Sequence, residues 1–94
     1  MKIKLDKLTS KVYIIHKNYY SLRRIMKTNL RKFRFLQGEL SQQKLAGLVS
    51  VSRQTIVSIE RGDYAPSVKL ALLLAEKLET TVEELFILEE KDHV

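Results

Sequence analysis

Leu40-Ser-Gln-Gln-Lys-Leu-Ala46 and Val51-Ser-Arg-Gln-Thr-Ile-Val-Ser-Ile-Glu-Arg-Gly62 are the two stretches whose reading decides the fold. Ser41 and Ser52 each stand one residue before a run with apolar residues at helical spacing. A hydroxyl at that position satisfies the free N–H groups of a first helical turn. The spacing predicts helices over about 42–49 and 53–61, joined by a tight turn at Ser50 and Val51. Gly62 suits the left-handed position that closes a helix. Leu45, Val51, Ile56 and Ile59 fall where two crossing helices bury side chains between them, and Ala46 is small enough to let the backbones approach. With that inner side occupied, Arg53, Gln54, Val57 and Ser58 remain on the outer side of the second helix. Such a helix, held along one side and bare at its leading end, fits the ~12 Å width of a DNA major groove.

Working outward, a helix is expected over 30–36, with Thr28 or Asn29 as its cap, Leu30 and Phe33 facing inward and Gly38 marking its end. Beyond Gly62, residues 63–66 read as a loop. A fourth helix follows Ser67 and runs to about Leu78. A fifth begins at Thr81, where Thr81-Val82-Glu83-Glu84 has capping-box spacing, and ends near Phe86 or Leu88. With three glycines and one proline in 94 residues there are few breakers, and all loops are short. The expected fold class is all-α: a compact bundle of five helices with a basic N-terminal extension.

The net charge of +6 has a lopsided origin. Residues 1–25 hold seven Lys/Arg against one acidic residue, Asp6, whereas 26–94 hold ten of each sign. Charge alone therefore argues for non-specific attraction at one end of the chain, not for a binding mode. The expected division is a basic extension over 1–25, a binding domain over 26–90 and a short tail over 91–94. The extension carries one apolar patch, residues 12–15, too short for a signal peptide. Three readings of it stay open: a basic arm touching DNA phosphates or the minor groove, an ordered element packed on the bundle, or a segment not made at all, with translation starting at Met26.

The quoted stretches, followed by Tyr64-Ala-Pro-Ser67, resemble the Cro/repressor-type, or XRE-like, helix-turn-helix family over about 30–86. That resemblance implies a lambda-repressor-like DNA-binding domain acting as a transcriptional regulator, with a repressor role and a symmetric dimer on a palindrome. It also implies that Gln42 bonds a phosphate and that Arg34 pairs with Glu60. Three departures stand out. Ser50 replaces the usual turn Gly, at a cost of about 1 kcal/mol for a left-handed backbone. Glu79 stands where Gly often follows the fourth helix, which leaves the form of that turn open. The loop between Arg34 and Gln42 is one residue longer than in the phage prototypes.

Residue chemistry supplies the reading surface. Arg53 suits the O6/N7 pair of guanine and Gln54 the N6/N7 pair of adenine, with Ser58 reaching a further base. Gln42, Ser52, Thr55, Arg61 and Tyr64 are placed for phosphates, which set register; Thr55 also suits a thymine methyl. The fourth helix is apolar almost all round, so Leu72 or Leu73, with Ile87 and Leu88, form a candidate dimer contact.

Other classes find little support. No paired carboxylates, nucleophile–base set or glycine-rich phosphate loop argues for an enzyme, and no cofactor is expected. His16 and His93 lack partners at metal or triad spacing. The acidic run from Glu83 to Asp92 reads as a solvated face. Without cysteine or a membrane-length apolar run, a cytoplasmic location is expected. The competing function is an antitoxin-like protein that binds a small partner protein through its C-terminal half and regulates itself through the same DNA-binding motif.

Overall fold

The computed structural model describes residues 24–93. Most of the extension expected over 1–25 lies outside that range, as do His16 and the patch at 12–15. In chain order the elements are β1 (Lys27–Thr28), α1 (Leu30–Leu36), α2 (Gln42–Leu48), α3 (Arg53–Arg61), α4 (Val68–Lys77), α5 (Val82–Leu85) and β2 (Phe86–Ile87), followed by a 3-10 turn at Glu90–His93.

Serine and threonine caps start four of the five helices among the described residues. Ser41, Ser52, Ser67 and Thr81 accept hydrogen bonds from the backbone N–H groups of Lys44, Thr55, Leu70 and Glu84, respectively. Each cap satisfies one otherwise orphaned donor, worth about 1 kcal/mol. At Thr81 only half of the expected box forms, because the Glu84 carboxylate accepts from the Thr80 hydroxyl (3.3 Å).

The first helix is capped differently from the expectation. Asn29 occupies the cap position, but its side chain makes no cap hydrogen bond. Instead its Nδ2 donates to the Glu84 carbonyl (3.0 Å) and its backbone N–H to the Leu85 carbonyl (2.8 Å). Thr28 Oγ1 accepts from Leu30 N (3.3 Å). Asn29 thereby takes up carbonyls at the end of α5. That helix stops at Leu85 rather than at Phe86 or Leu88. Phe86 turns extended, and β1 pairs antiparallel with β2, Lys27 opposite Ile87 and Thr28 opposite Phe86. The strand pair brings the two ends of the domain together.

The core lies between α1, α2, α3, α4 and α5. Leu30, Leu45, Ala46, Ile56, Ile59, Leu74, Leu78 and Leu85 are fully enclosed, and Phe33, Leu40, Val51, Leu73, Val82 and Phe86 pack around them. Leu48, on α2, is exposed at the rim. Two non-glycine residues hold the left-handed turns that the family often gives to Gly: Ser50 (φ 58°) and Glu79 (φ 55°). The turn after α4 therefore keeps its left-handed form despite the Glu79 side chain.

Gly62 closes α3 in the left-handed conformation (φ 81°). Its carbonyl accepts from Ile25 N (2.6 Å) and Met26 N (3.2 Å), so the chain entering the domain is strapped across the end of α3. Arg24, at the start of the strap, pairs with Glu89, and Lys91 Nζ donates to the Arg24 carbonyl (2.8 Å). Part of the acidic run is thus structural rather than solvated.

A Cβ at Gly62 would lie 2.3 Å from the Met26 carbonyl oxygen and 2.9 Å from Arg24 Cβ. Gly62→Ala is expected to destabilise the domain by about 2–4 kcal/mol, combining the left-handed cost with displacement of the strap. Gly47 in α2 meets nothing within 4 Å. Gly47→Ala should stabilise by up to about 1 kcal/mol, as Ala does in helix interiors. Urea unfolding of the two variants checks both signs.

Candidate nucleic acid interface

Helix α3 is built as an amphipathic rod. Ile56 and Ile59 are fully buried, fixing its inner side against α2 and the rest of the core. Arg53 and Gln54 are exposed at its leading end, and Val57 and Ser58 are half-buried one turn further on. Ser52 is exposed at the cap, and its hydroxyl also lies 3.0 Å from that of Thr55.

Beneath this surface lies a chain of polar contacts. Arg34, on α1, is 8% exposed. Its Nε donates to Glu60 Oε2 (2.5 Å) and its Nη2 to Glu60 Oε1 (3.1 Å), a bidentate pair between α1 and α3. Its Nη1 donates to the Leu40 carbonyl (2.7 Å). The guanidinium also lies 5.7 Å from the Phe35 ring centroid, so the half-exposed Phe35 covers it. All the obvious partners of a buried guanidinium are supplied, as burial of a charge requires.

The network continues outward. Gln42, first residue of α2, donates from Nε2 to Glu60 Oε1 (3.1 Å). Its Oε1 accepts from Arg53 Nη2 (3.0 Å). The Gln42 amide therefore connects the buried pair to the exposed guanidinium at the leading end of α3.

On the other flank, Ser52, Gln54, Thr55, Ser58, Asp63 and Tyr64 line a notch of about 250 Å³. Tyr64 is 45% exposed there. Arg61 is exposed and pairs with Asp63 (3.4 Å) across the turn after α3. The structure thus gathers Arg53, Gln54, Ser58, Ser52, Thr55 and Tyr64 along α3 and the loop after it, with Gln42 alongside. The candidate dimer residues are divided. Leu72 and Leu88 are exposed, at 57% and 65%. Ile87 is half-buried in β2, and Leu73 packs on the core and faces a separate groove with Leu48 and Lys69.

Sequence reasoning did not single out Asp63 or the bridging role of Gln42. An acidic residue two positions beyond Arg61 was a visible signal for the first. Nothing in the spacing of Gln42 announces the second, because its partners lie on another helix. Among the described residues, no group of acidic or histidine side chains is placed to hold a metal ion, and no helix is long and apolar enough to cross a membrane.

A family model described as helix-turn-helix matches residues 30–85. The chain belongs to the XRE/Cro-like helix-turn-helix family of transcriptional regulators. It is 43% identical over 67 residues to an uncharacterised HTH-type transcriptional regulator of Methanocaldococcus jannaschii, a match covering 71% of this chain and 100% of that one. It is 42% identical over 67 residues to the uncharacterised HTH-type transcriptional regulator YgzD of Bacillus subtilis, with the same coverage of both chains. Among solved structures it is similar to the restriction-modification controller protein C.AhdI of Aeromonas hydrophila, with a TM-score of 0.53 and 36% identity over 58% of this chain and 78% of that one. The regulator family is not a catalytic one, and its matched region contains every polar contact from Arg34 to Arg53.

In this regulator, removing one member of the buried pair leaves the other charge without its partner. Arg34→Ala is expected to cost about 3–5 kcal/mol in unfolding free energy. Replacing both residues, as Arg34→Met with Glu60→Leu, should recover most of that loss. Chemical denaturation of the single and double variants measures the difference.

Proposed function

We propose that this regulator represses transcription by seating the leading end of α3 in the major groove of operator DNA, as a symmetric dimer. The observation that carries this reading is the orientation of α3: Ile56 and Ile59 are fully buried while Arg53 and Gln54 stand exposed at its N-terminal end. Arg53 reads guanine and Gln54 adenine, and Ser58, one turn on, reads a further base. Gln42, Ser52, Thr55, Arg61 and Tyr64 contact phosphates and hold the domain in register. The Gln42 amide nitrogen has a second N–H beyond the one given to Glu60, so a phosphate contact is compatible with its place in the network.

One such domain spans only a few base pairs, and the family's symmetric dimer doubles that length. Half-sites would lie about 34 Å apart, one helical turn of DNA. The surface we assign to self-association contains Leu72. Val68 and Leu72 are 77% and 57% exposed. They border an apolar groove of about 320 Å³ with Met26, Pro66 and Phe86. Burial of these side chains against a second copy supplies hydrophobic free energy at about 25 cal/mol per Å². Repression needs no further machinery, because a protein seated on a promoter excludes polymerase.

Two experiments test this reading. Sequences bound by the full chain are selected from random duplex DNA. Arg53→Ala should lower affinity for the selected site by about 1–3 kcal/mol and relax preference at one base position per half-site. Arg61→Ala should weaken all sequences alike and reduce the salt dependence. Equal losses on operator and scrambled DNA for Arg53→Ala would refute its base-reading role. In sedimentation experiments, Leu72→Glu should shift a dimer to monomer. Co-purification of a small protein in place of self-association would move the chain to the antitoxin-like reading.

A further inference from the structure

Resting on the reading of α3 as the helix seated in the major groove, we propose that Asp63 reads a further base, its carboxylate selecting cytosine next to the base met by Ser58. The argument begins with the backbone after α3. Gly62 turns the chain back in the left-handed conformation (φ 81°), and the Asp63 N–H then donates to the Ser58 carbonyl (3.0 Å). The carbonyl of the same peptide unit belongs to Gly62 and accepts from Ile25 and Met26. Both polar groups of one peptide unit are therefore held, and the Asp63 side chain starts from a fixed point beside Ser58. It lines the notch that also contains Gln54 and Ser58, the two residues read as base contacts on that side of the helix.

Asp63 differs in kind from its neighbours in the notch. Ser52, Gln54, Thr55, Ser58 and Tyr64 each carry a donor, whereas an ionised carboxylate only accepts. Phosphate oxygens have nothing to donate to such a group and repel it. In the major groove, guanine presents two acceptors, and thymine an acceptor and a methyl group. Adenine offers an amino donor with the N7 acceptor beside it. Cytosine presents its N4 amino donor alone. Of the four bases, cytosine therefore suits an acceptor-only side chain best.

Arg61 makes the approach of a carboxylate to DNA tolerable. Its Nε lies 3.4 Å from Asp63 Oδ2, so Oδ1 is left outside that pair. Both side chains are more than half exposed, and the pair adds little to stability. Its effect is on the local field, because a positive charge accompanies the carboxylate toward the phosphates. The guanidinium has five N–H donors, so its contact with Asp63 leaves others for a phosphate oxygen.

The test uses the full chain and the sites it selects from random duplex DNA. Cytosine should be enriched next to the base position relaxed by Ser58→Ala. Asp63→Ala should lower discrimination for that cytosine by roughly three- to tenfold, the size of one partly solvated hydrogen bond to a charged group. Preference at the position read by Arg53 should hold. Asp63→Asn, which sets a donor beside the acceptor, should move the preference toward adenine. Replacing the cytosine by an analogue without the N4 amino group should weaken binding of the wild type and leave that of Asp63→Ala unchanged. Tighter binding of both Asp63 variants to every duplex by one common factor would overturn the proposal, leaving Asp63 a charge that only repels phosphates. Identical affinities of wild type and variants on all sequences would overturn it as well. In either case the reading of α3 stands if Arg53→Ala still relaxes its own position. A chain that selects no sequence at all removes the α3 reading, and the cytosine assignment goes with it.

Discussion

The guanidinium of Arg34 and the carboxylate of Glu60 meet in a place almost closed to water, their side chains 10% and 9% exposed. Taking two charges out of water is costly, and their mutual attraction offsets that cost only when geometry and further hydrogen bonds are good. Both conditions are met here. Two parallel bonds join the pair, the Leu40 carbonyl takes the remaining guanidinium nitrogen, and the Gln42 amide shares Glu60 Oε1. The pair contributes definition more than stability. It sets the approach of α1 to the end of α3, and through Leu40 it fixes the chain one residue before the Ser41 cap. Hence the start of α2, and the direction in which α3 leaves the turn, depend on one contact between distant parts of the sequence.

How much of this was legible beforehand follows from the range of each signal. Caps are local, so Ser41, Ser52, Ser67 and Thr81 located four helix starts from a hydroxyl and the apolar spacing after it. The bounds 53–61 for α3 were legible because Ser52 and Gly62 mark both ends. Ile56 and Ile59 turned inward because helical periodicity leaves them no alternative face once Arg53 and Gln54 are outside. The family resemblance rests on these same residues, and the matched range 30–85 lies where that local pattern is strongest.

The misreadings share a different cause. A strand of two residues cannot display alternation, so Phe86 and Ile87 read as the end of a helix until β1 is beside them. Asn29 carries the chemistry of a cap, but a carbonyl of α5 lies within reach of its side chain, and that longer-range bond wins. Glu89 looked like one more solvated acid in a run of them. Its partner Arg24 stands 65 residues away, a separation at which no pattern in the chain is visible. Gln42 is a case of another kind, read in part. Position and residue type both suit a phosphate contact, and neither reveals that its carbonyl oxygen holds Arg53.

On the proposed reading, α3 must be rigid where it is anchored and bare at its leading end, and the two demands conflict in so small a domain. Exposing Arg53 and Gln54 removes apolar surface from the helix that most needs fixing. The structure answers by holding α3 in three places that do not use its outer face. Its inner side is buried through Ile56 and Ile59. Its trailing end is held by Ile25 and Met26 on the Gly62 carbonyl, where only a residue without a Cβ lets the strap approach. Its leading end is steadied through Gln42, whose amide reaches Arg53 from the side rather than covering it. Ser50 accepts a left-handed backbone to keep α2 and α3 at the angle this requires, a local cost of about 1 kcal/mol. That cost is tolerable only because the core on either side of the turn, Leu45 and Ala46 before it and Ile56 after it, is completely enclosed.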